Sequence, residues 1–312
     1  MIKLLTRRFS LLCPIVQGQS DGSAVGCFKF GGIDMRLIVT AIVLSSIAFG
    51  AKAEPSIERG EYLVRGPAGC GNCHTPQTPQ GPDMSNELGG FMVEKNPAFE
   101  AWAVNITPGG RVASWSDDEL AKAIREGIRP DGSVIGPPMP VGLYRGLSDD
   151  DVYSIVAFLR TIPASQNETP FSTYNIPLPP AYGPPIQSVS APLQSVSVEY
   201  GEYLAGPVAH CVECHTPMGD RGPMFETHLG AGGFEFHGPW GTSVSANLTT
   251  HEDGLAGYGD AELKTMITKG IRPDGSRMLP PMAYHHYAAM TENDLDAVVL
   301  YLRQLPPLPN GG

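Results

Sequence analysis

Cys70-Gly-Asn-Cys73-His74 and Cys211-Val-Glu-Cys214-His215 are two copies of one five-residue pattern, C-x-x-C-H, in a chain of 312 residues. On a turn of helix, cysteines three residues apart share a face, and the next residue projects from the same side. Both cysteines can then form thioethers with one haem while the imidazole reaches its iron. The sequence therefore predicts two covalently attached haem c groups. Their predicted binding residues are Cys70, Cys73, His74, Cys211, Cys214 and His215, with both histidines as iron ligands.

Other uses of paired cysteines explain less of this pattern. Two disulfides, or a thioredoxin-like redox site, would not require a histidine after each pair. A structural zinc ion needs four ligands, and the first half of the chain after residue 53 offers two cysteines and one histidine. The remaining cysteines, Cys13 and Cys27, lie in a stretch that we expect to be removed.

The two motifs belong to an internal duplication with an offset of 141 to 143 residues. This offset is too long for a solenoid repeat and suits two copies of one domain. We place the domains at 54–165 and 198–312, joined by a proline-rich linker at 166–197. The matched segments are 57–63 with 198–204, 105–107 with 247–249, 127–133 with 270–276, and 137–139 with 280–282.

Helix signals recur at equivalent places in the two copies. Residues 116–119, 148–151 and 291–294 have the pattern Ser/Thr-x-x-Glu/Asp before apolar periodic runs, which is typical of helix starts. Gly127 and Gly270 stand where helices should end. Because the chain has 37 Gly, 30 Pro and only 17% charged residues, we expect short helices with many loops.

A haem iron that transfers electrons needs a second axial ligand, usually a methionine thioether. Met139 and Met282 follow their histidines by 65 and 67 residues in matched Pro-Pro-Met contexts, so we predict them as iron ligands. Met84 and Met224 follow by only ten and nine residues, too near to reach the opposite face easily. A lone methionine is otherwise usually a core residue. The other candidates are Met92 in the first copy and His251, His285 and His286 in the second.

Each axial imidazole also needs an acceptor for its other ring nitrogen. Pro82 and Pro223 lie eight residues after the haem histidines, so their carbonyls are candidates, although these Gly-Pro pairs can equally be turns. Asn105 and Asn247 either face a haem edge or cap a turn, and we favour the cap.

The start of the chain resembles an export signal that begins late. Met35-Arg36 is followed by an apolar run at 37–50 and by Ala51-Lys-Ala53, an A-x-A cleavage pattern. The apolar run is shorter than the roughly 20 residues that a bilayer span needs. We therefore predict an over-long start at 1–34, a signal peptide at 35–53, and a periplasmic protein without a transmembrane anchor.

The residues after the predicted cleavage site are strongly acidic. They contain 15 Lys and Arg against 30 Asp and Glu, a net charge of −15. Such a surface repels nucleic acid and favours partners with basic faces. Nucleic-acid binding is therefore not expected.

Both copies resemble the class I cytochrome c family. Each has an N-terminal helix with a glycine and an aromatic residue, the C-x-x-C-H motif, a Gly-Pro, a methionine loop and a C-terminal helix with an aromatic residue. The resemblance implies an all-α fold of two tandem cytochrome c-like domains, with short helices around covalently attached haem. It also implies one-electron transfer by each iron. The residues that carry it, besides the motifs, are Gly60, Tyr62, Phe158, Gly201, Tyr203 and Tyr301.

More narrowly, the segments Gly-Ile-Arg-Pro-Asp-Gly and Pro-Pro-Met look like those in cytochrome subunits of bacterial membrane-associated alcohol, gluconate and aldehyde dehydrogenases. Those subunits commonly carry three haems, and this chain has two motifs. The resemblance implies a dehydrogenase as electron donor, another cytochrome or an oxidase as acceptor, and no catalytic activity in this chain itself. The competing interpretation is a dihaem cytochrome that is itself an enzyme, either a peroxidase or a thiosulfate-oxidising protein.

Overall fold

The computed structural model describes residues 55–220 and 222–311, so the predicted over-long start and signal peptide lie outside the described residues. None of the helices within these residues is long and apolar enough to cross a membrane. In the first half the elements are α1 (Ile57–Arg65), α2 (Cys70–His74), β1 (Gln77–Thr78), β2 (Gly81–Pro82), β3 (Phe91–Lys95), β4 (Phe99–Ala103), α3 (Asp117–Glu126), α4 (Val141–Tyr144), α5 (Asp149–Leu159) and β5 (Thr173–Tyr174), with 3-10 turns at Met84–Asn86 and Arg111–Ser114. In the second half they are α6 (Val198–Tyr203), a π-helical turn (Leu204–Val208), α7 (Cys211–Cys214), β6 (Met218–Gly219), β7 (Gly222–Pro223), α8 (Phe225–His228), β8 (Glu235–Gly238), β9 (Gly241–Val244), α9 (Asp260–Lys269), α10 (Tyr284–Tyr287) and α11 (Glu292–Leu302).

The first and last helices of each repeat cross at a glycine. A Cβ atom on Gly60 in α1 would lie 1.9 Å from the carbonyl oxygen of Ser154 in α5. A Cβ atom on Gly201 in α6 would lie 1.9 Å from the carbonyl oxygen of Ala297 in α11. Only glycine allows the backbones to come this close, and the crossing buries apolar side chains on both helices. The largest of these that are fully buried are Leu63, Val64, Val152 and Val156 in the first repeat and Tyr200 in the second.

The predicted helix boundaries are confirmed. Ser116, Ser148 and Thr291 cap α3, α5 and α11, and each hydroxyl accepts the backbone N–H of the third helical residue at 3.1–3.2 Å. Helices α3 and α9 end at Gly127 and Gly270, whose φ values of 65° and 62° are left-handed. Local capping chemistry therefore sets these ends.

Small antiparallel sheets join the helices. Strands β1 and β2 form one hairpin, β6 and β7 another, β3-β4-β5 a three-stranded sheet and β8-β9 a two-stranded one. Several of these strands are only two residues long, too short to show a period of two in the sequence. The fold is thus mostly helical with small sheets, and not purely helical as the sequence predicted.

The proline-rich segment (166–197) is extended, and its first part packs against the first repeat. Its strand β5 adds to the free edge of β4. The Tyr174 hydroxyl donates to the carbonyl of Pro137 at 3.0 Å, and the Tyr182 hydroxyl donates to the carbonyl of Ile135 at 2.9 Å. This segment therefore covers the loop that leads to Met139.

Two reciprocal tyrosine–aspartate bonds join the repeats. Tyr62 of α1 donates to the Asp294 carboxylate of α11 at 2.5 Å, and Tyr203 of α6 donates to the Asp151 carboxylate of α5 at 2.7 Å. Arg59 adds a bidentate ion pair with Asp151, at 2.8 and 3.0 Å. Since both aspartates are buried, these partners replace the water that the carboxylates lose. The joined repeats belong to one compact unit.

Candidate functional site

Each C-x-x-C-H motif begins a short helix directly after a residue with left-handed backbone. That residue is Gly69, with φ 55°, before α2, and His210, with φ 41°, before α7. The turn of helix places the two cysteines of each motif on one side, as the spacing predicts. The four motif cysteines, Cys70, Cys73, Cys211 and Cys214, form no disulfide.

The pKa values of these thiols are shifted in the opposite direction to those of a disulfide-exchange site. Burial raises the pKa of Cys70 and Cys211 to about 12 and that of Cys73 to about 11. Thioredoxin-like cysteines instead have a lowered pKa, because the thiolate is the nucleophile. Among the described residues, no group of three or more His, Cys, Asp and Glu side chains is arranged to hold a metal ion, so a zinc site has no ligand set. These findings disfavour both alternatives.

Both motif histidines have the same orientation. The Nδ1 atom of His74 lies 2.7 Å from the carbonyl oxygen of Val104, and that of His215 lies 2.7 Å from the carbonyl oxygen of Ala246. Because a carbonyl only accepts, Nδ1 carries the proton and Nε2 keeps its lone pair. Burial lowers the pKa of both imidazoles, partly offset by these bonds, which favours the neutral form that ligates iron.

The acceptors differ from those predicted. Pro82 and Pro223 lie in the β1–β2 and β6–β7 hairpins, where they pair with Gln77 and Met218. Their Gly-Pro pairs therefore form the second strand of each hairpin, and the candidate carbonyls of Pro82 and Pro223 are not the acceptors. The true acceptors each precede an asparagine of the matched Asn-x-Thr segments.

The side chains of Asn105 and Asn247 hold in place the backbone segments that carry the two acceptor carbonyls. Asn105 accepts the N–H of Thr107 at 3.0 Å and donates to the carbonyl of Ser165 at 2.8 Å. Asn247 accepts the N–H of Thr249 at 2.8 Å and donates to the segment after α11. The predicted turn cap is thus confirmed. Each cap also positions the carbonyl that orients a histidine, because the acceptor residue comes directly before the asparagine.

The predicted methionine ligands occupy equivalent places. Met139 and Met282 are half-buried against the core, each directly after an X-Pro peptide bond in the cis form. Met84, by contrast, is 61% exposed, and Met92 is also exposed. Ligation of iron by Met139 and Met282 stays a prediction.

His286, a rival ligand in the second repeat, is directed at the first. It is buried, and its Nδ1 atom lies 2.8 Å from the carbonyl oxygen of Arg65. Its ring packs against Gly69 and Gly71 of the first motif. His285 is exposed and His251 lies beside an aspartate on a loop. None of these positions matches that of a methionine in the first repeat.

Residues next to the two motifs meet, because the ring of His210, directly before the second motif, packs edge-on against Tyr144 of the first repeat with 5.8 Å between the ring centroids. Burial is the main cause of the raised pKa of Cys73 and Cys214, and the negative charge of Glu213 raises both further. Glu213, inside the second motif, is therefore within electrostatic reach of the first. Its own pKa is raised by burial to about 7. Its Oε2 atom lies 3.5 Å from Nδ1 of His210.

Sequence reasoning missed two tyrosines that support the motifs. The hydroxyl of Tyr144 donates to the carbonyl of Ala68 at 3.4 Å, and that of Tyr287 donates to the carbonyl of Ala209 at 3.3 Å. Both carbonyls lie two residues before a motif. The signal was available, because these tyrosines share the 143-residue offset of the two methionines.

The residues present fit covalent haem c. Each motif offers two thiols on one side of a helical turn and an imidazole whose Nε2 is free to bind iron, held by a carbonyl. The chemistry of this donor set suits a porphyrin iron better than a zinc ion or a disulfide. Comparison with known proteins agrees. The cytochrome c family model matches residues 198–306.

Residues 198–306 form a cytochrome c domain. The chain is also similar to cytochrome subunits and to a dihaem cytochrome of other bacteria. It is 29% identical to the cytochrome c subunit of a quinone alcohol dehydrogenase from Gluconobacter oxydans, over 88% of this chain and 61% of the relative. It is 28% identical to the fructose dehydrogenase cytochrome subunit of Gluconobacter japonicus, over 83% and 54%. It is 26% identical to a dihaem cytochrome c-type protein of Cereibacter sphaeroides, over 80% and 86%.

The lengths of these relatives differ. The chain spans a little more than half of the two dehydrogenase subunits and most of the dihaem protein. The similarity extends beyond the matched cytochrome c domain and includes the first repeat, which suggests a second domain of the same kind.

Proposed function

We propose that the chain is a periplasmic dihaem cytochrome c that transfers electrons from a dehydrogenase towards the respiratory chain. Its architecture would be two tandem cytochrome c domains joined by the proline-rich segment. The observation that carries the proposal is the repeated site: two C-x-x-C-H motifs, each with a histidine whose Nδ1 donates to a backbone carbonyl at 2.7 Å.

The residues of each repeat have separate roles. Haem c, when bound, supplies a one-electron ferrous–ferric couple. Cys70 and Cys73 would anchor the first group and His74 would bind its iron, with Met139 as the second ligand. Cys211, Cys214, His215 and Met282 would do the same in the second repeat. The carbonyls behind the histidines hold each ring and raise its basicity, which favours tight ligation.

The join between the repeats supports a relay. Glu213 lies within electrostatic reach of both motifs, and the reciprocal tyrosine–aspartate bonds fix the repeats against each other. A fixed separation favours transfer between two sites without movement of the protein. We propose that electrons enter at one repeat and leave from the other.

The relatives support the choice of partner. Two of them are, by name, cytochrome subunits of alcohol and fructose dehydrogenases. We propose a dehydrogenase as the donor and another cytochrome or an oxidase as the acceptor, with this chain as the electron-transfer subunit and not the catalytic one. Its excess of acidic over basic residues favours partner proteins with basic surfaces.

Haem content tests the proposal. The chain is expressed with its start intact in a host that matures c-type cytochromes, and periplasmic protein is isolated. We expect two haems per chain by intact mass and by the pyridine haemochrome spectrum. The double variants Cys70→Ala/Cys73→Ala and Cys211→Ala/Cys214→Ala should each keep one. Recovery of an exported protein without added haem mass would contradict the proposal.

Ligand access separates an electron carrier from an enzyme. We expect the reduced protein not to bind carbon monoxide, because a sulfur ligand would fill the second axial position of each iron. Rapid carbon monoxide binding by the untreated reduced protein would favour a peroxidase and contradict the electron-carrier role.

Co-purification of a dehydrogenase whose turnover reduces the haems would establish the donor.

A further inference from the structure

The two repeats differ at the outer edge of one sheet. In the first repeat, β5 adds to the edge of β4, with Tyr174 opposite Phe99 and Thr173 opposite Glu100. In the second repeat, β9 is the counterpart of β4. No third strand pairs with β9 anywhere in the described residues. The same edge is therefore filled in one repeat and open in the other.

Apart from the short length of β9, the open edge carries none of the usual protection. Natural proteins guard such edges with lysine, proline, a bulge or a cover, because unpaired backbone groups attract other strands. Strand β9 reads Gly-Thr-Ser-Val, with no charge and no proline. Apolar side chains are exposed beside it: Val244 is 59%, Trp240 37% and Leu279 47% exposed. This combination is typical of a surface that accepts another strand.

The adjoining loop shows how an added strand must differ from β5. In the first repeat, a Cβ atom on Gly136 would lie 2.6 Å from the ring of Tyr174 and 2.9 Å from Leu178, so these side chains occupy the space above that glycine. The counterpart of Gly136 in the second repeat is Leu279. An aromatic residue at the position of Tyr174 would therefore collide with Leu279.

The second repeat does not need a cover for its polar groups. The Ser243 hydroxyl donates to the carbonyl of Pro280 at 2.6 Å, and the Tyr284 hydroxyl donates to that of Leu279 at 3.2 Å. In the first repeat, the equivalent loop instead receives its hydrogen bonds from the proline-rich segment. What remains open in the second repeat is the strand edge and its apolar side chains.

We propose that β9 binds an extended segment of a partner protein as a third strand. The segment adds antiparallel to β9, as β5 adds to β4, and carries a small residue opposite Gly241 so that Leu279 packs against it. It also carries an apolar residue that covers Val244. This assigns a protein-docking edge to the second repeat only, because the first repeat fills its own. The proposal does not rest on the number of haems.

Two peptides test it on the full-length holoprotein. They are fluorescently labelled copies of residues 169–178, the segment that fills the edge of the first repeat, with the native Tyr174 or with Tyr174→Ala. Binding is measured by anisotropy. We expect the Tyr174→Ala peptide to bind about tenfold or more tightly than the native one, because the smaller side chain avoids Leu279. Leu279→Gly, which recreates the environment of Gly136, should remove or reverse this preference.

A matched pair of variants locates the binding. Val244→Lys places a charge on the open edge and should abolish binding of both peptides. Val196→Lys makes the same change at a residue of the proline-rich segment that is 49% exposed, and should leave binding unchanged. Equal binding to Val244→Lys and wild-type protein would overturn the proposal, as would failure of the Tyr174→Ala peptide to bind. Concentration-dependent dimers that Val244→Lys disperses would assign the edge to a second copy and also overturn it.

Discussion

A backbone carbonyl decides which ring nitrogen of each motif histidine is free to bind a metal ion. Val104 and Ala246 accept from Nδ1, and the asparagine that follows each of them pins the peptide in place. The spacing C-x-x-C-H specifies the histidine, but not its acceptor. The acceptors lie 30 and 31 residues after their histidines in the chain, so only folding brings the two groups together.

Removing either asparagine should disturb one haem and not the other. Asn105→Ala leaves the N–H of Thr107 and the carbonyl of Ser165 without a buried partner, which costs about 1–3 kcal/mol. We expect lower stability and a shifted midpoint potential for one of two haems in a redox titration. Asn247→Ala should shift the other. Identical titrations of wild type and both variants would show that the caps do not position the histidines.

The methionine prediction has an equally specific test. Met139→Ala and Met282→Ala should each open one iron, so that reduced protein binds carbon monoxide at half of its haems, and the double variant at both. The potential of the altered haem should fall, because the thioether favours ferrous iron. Met84→Ala, at an exposed residue, serves as the control and should bind none. Unchanged spectra in Met139→Ala would exclude that ligand.

At the scale of helices, the sequence was informative where the signal is local. Serine and threonine caps and the terminal glycines Gly127 and Gly270 were predicted correctly, since a cap and its partner are three or four residues apart. The sheets were not predicted. Strand β5 has two residues, and it exists because the edge of β4 and the loop at Pro137 lie beside it. No pattern within the strand itself encodes that.

The glycine crossings should tolerate no side chain. Gly60→Ala forces a Cβ atom to within 1.9 Å of a backbone oxygen, so α1 and α5 must separate. We expect a loss of about 1–3 kcal/mol in the free energy of unfolding, measured by denaturant titration. Gly142→Ala in α4 is the matched control, because a Cβ atom there meets nothing within 4 Å. It should be neutral or gain up to about 1 kcal/mol from higher helix propensity. Equal stabilities for the two variants would contradict the crossing.

At the scale of the whole molecule, the duplication was visible in the sequence and the join between its copies was not. Tyr62 and Tyr203 are matched residues, and each bonds an aspartate of the other copy. The partners are 232 and 52 residues apart, so alignment of the copies shows that the tyrosines correspond without showing where they point. Arg59 has no basic counterpart, because Tyr200 stands at its place in the second copy, and only folding brings Arg59 beside Asp151.

The join should weaken in alkali. Burial, with the nearby aspartates, raises the pKa of Tyr62 and Tyr203 above the usual 10.0. The folded protein therefore holds protons that the unfolded chain releases, so stability is full below pH 10 and falls as pH rises above it. We expect Tyr62→Phe/Tyr203→Phe to be less stable at pH 7 and to lose less stability between pH 9 and 11, measured by urea titration. Parallel curves would contradict this assignment.

The packing of the proline-rich segment determines how short a fragment that contains the first repeat can be. A fragment cut after residue 165 would strip β5 from β4 and uncover Ile135 and Pro137, so it should aggregate or unfold. A fragment that runs to residue 190 keeps those contacts and also the bond between the N–H of Asp149 and the carbonyl of Val189. Anyone building a one-haem piece from the amino-terminal copy must therefore retain about two dozen residues that look, in the sequence, like dispensable spacer.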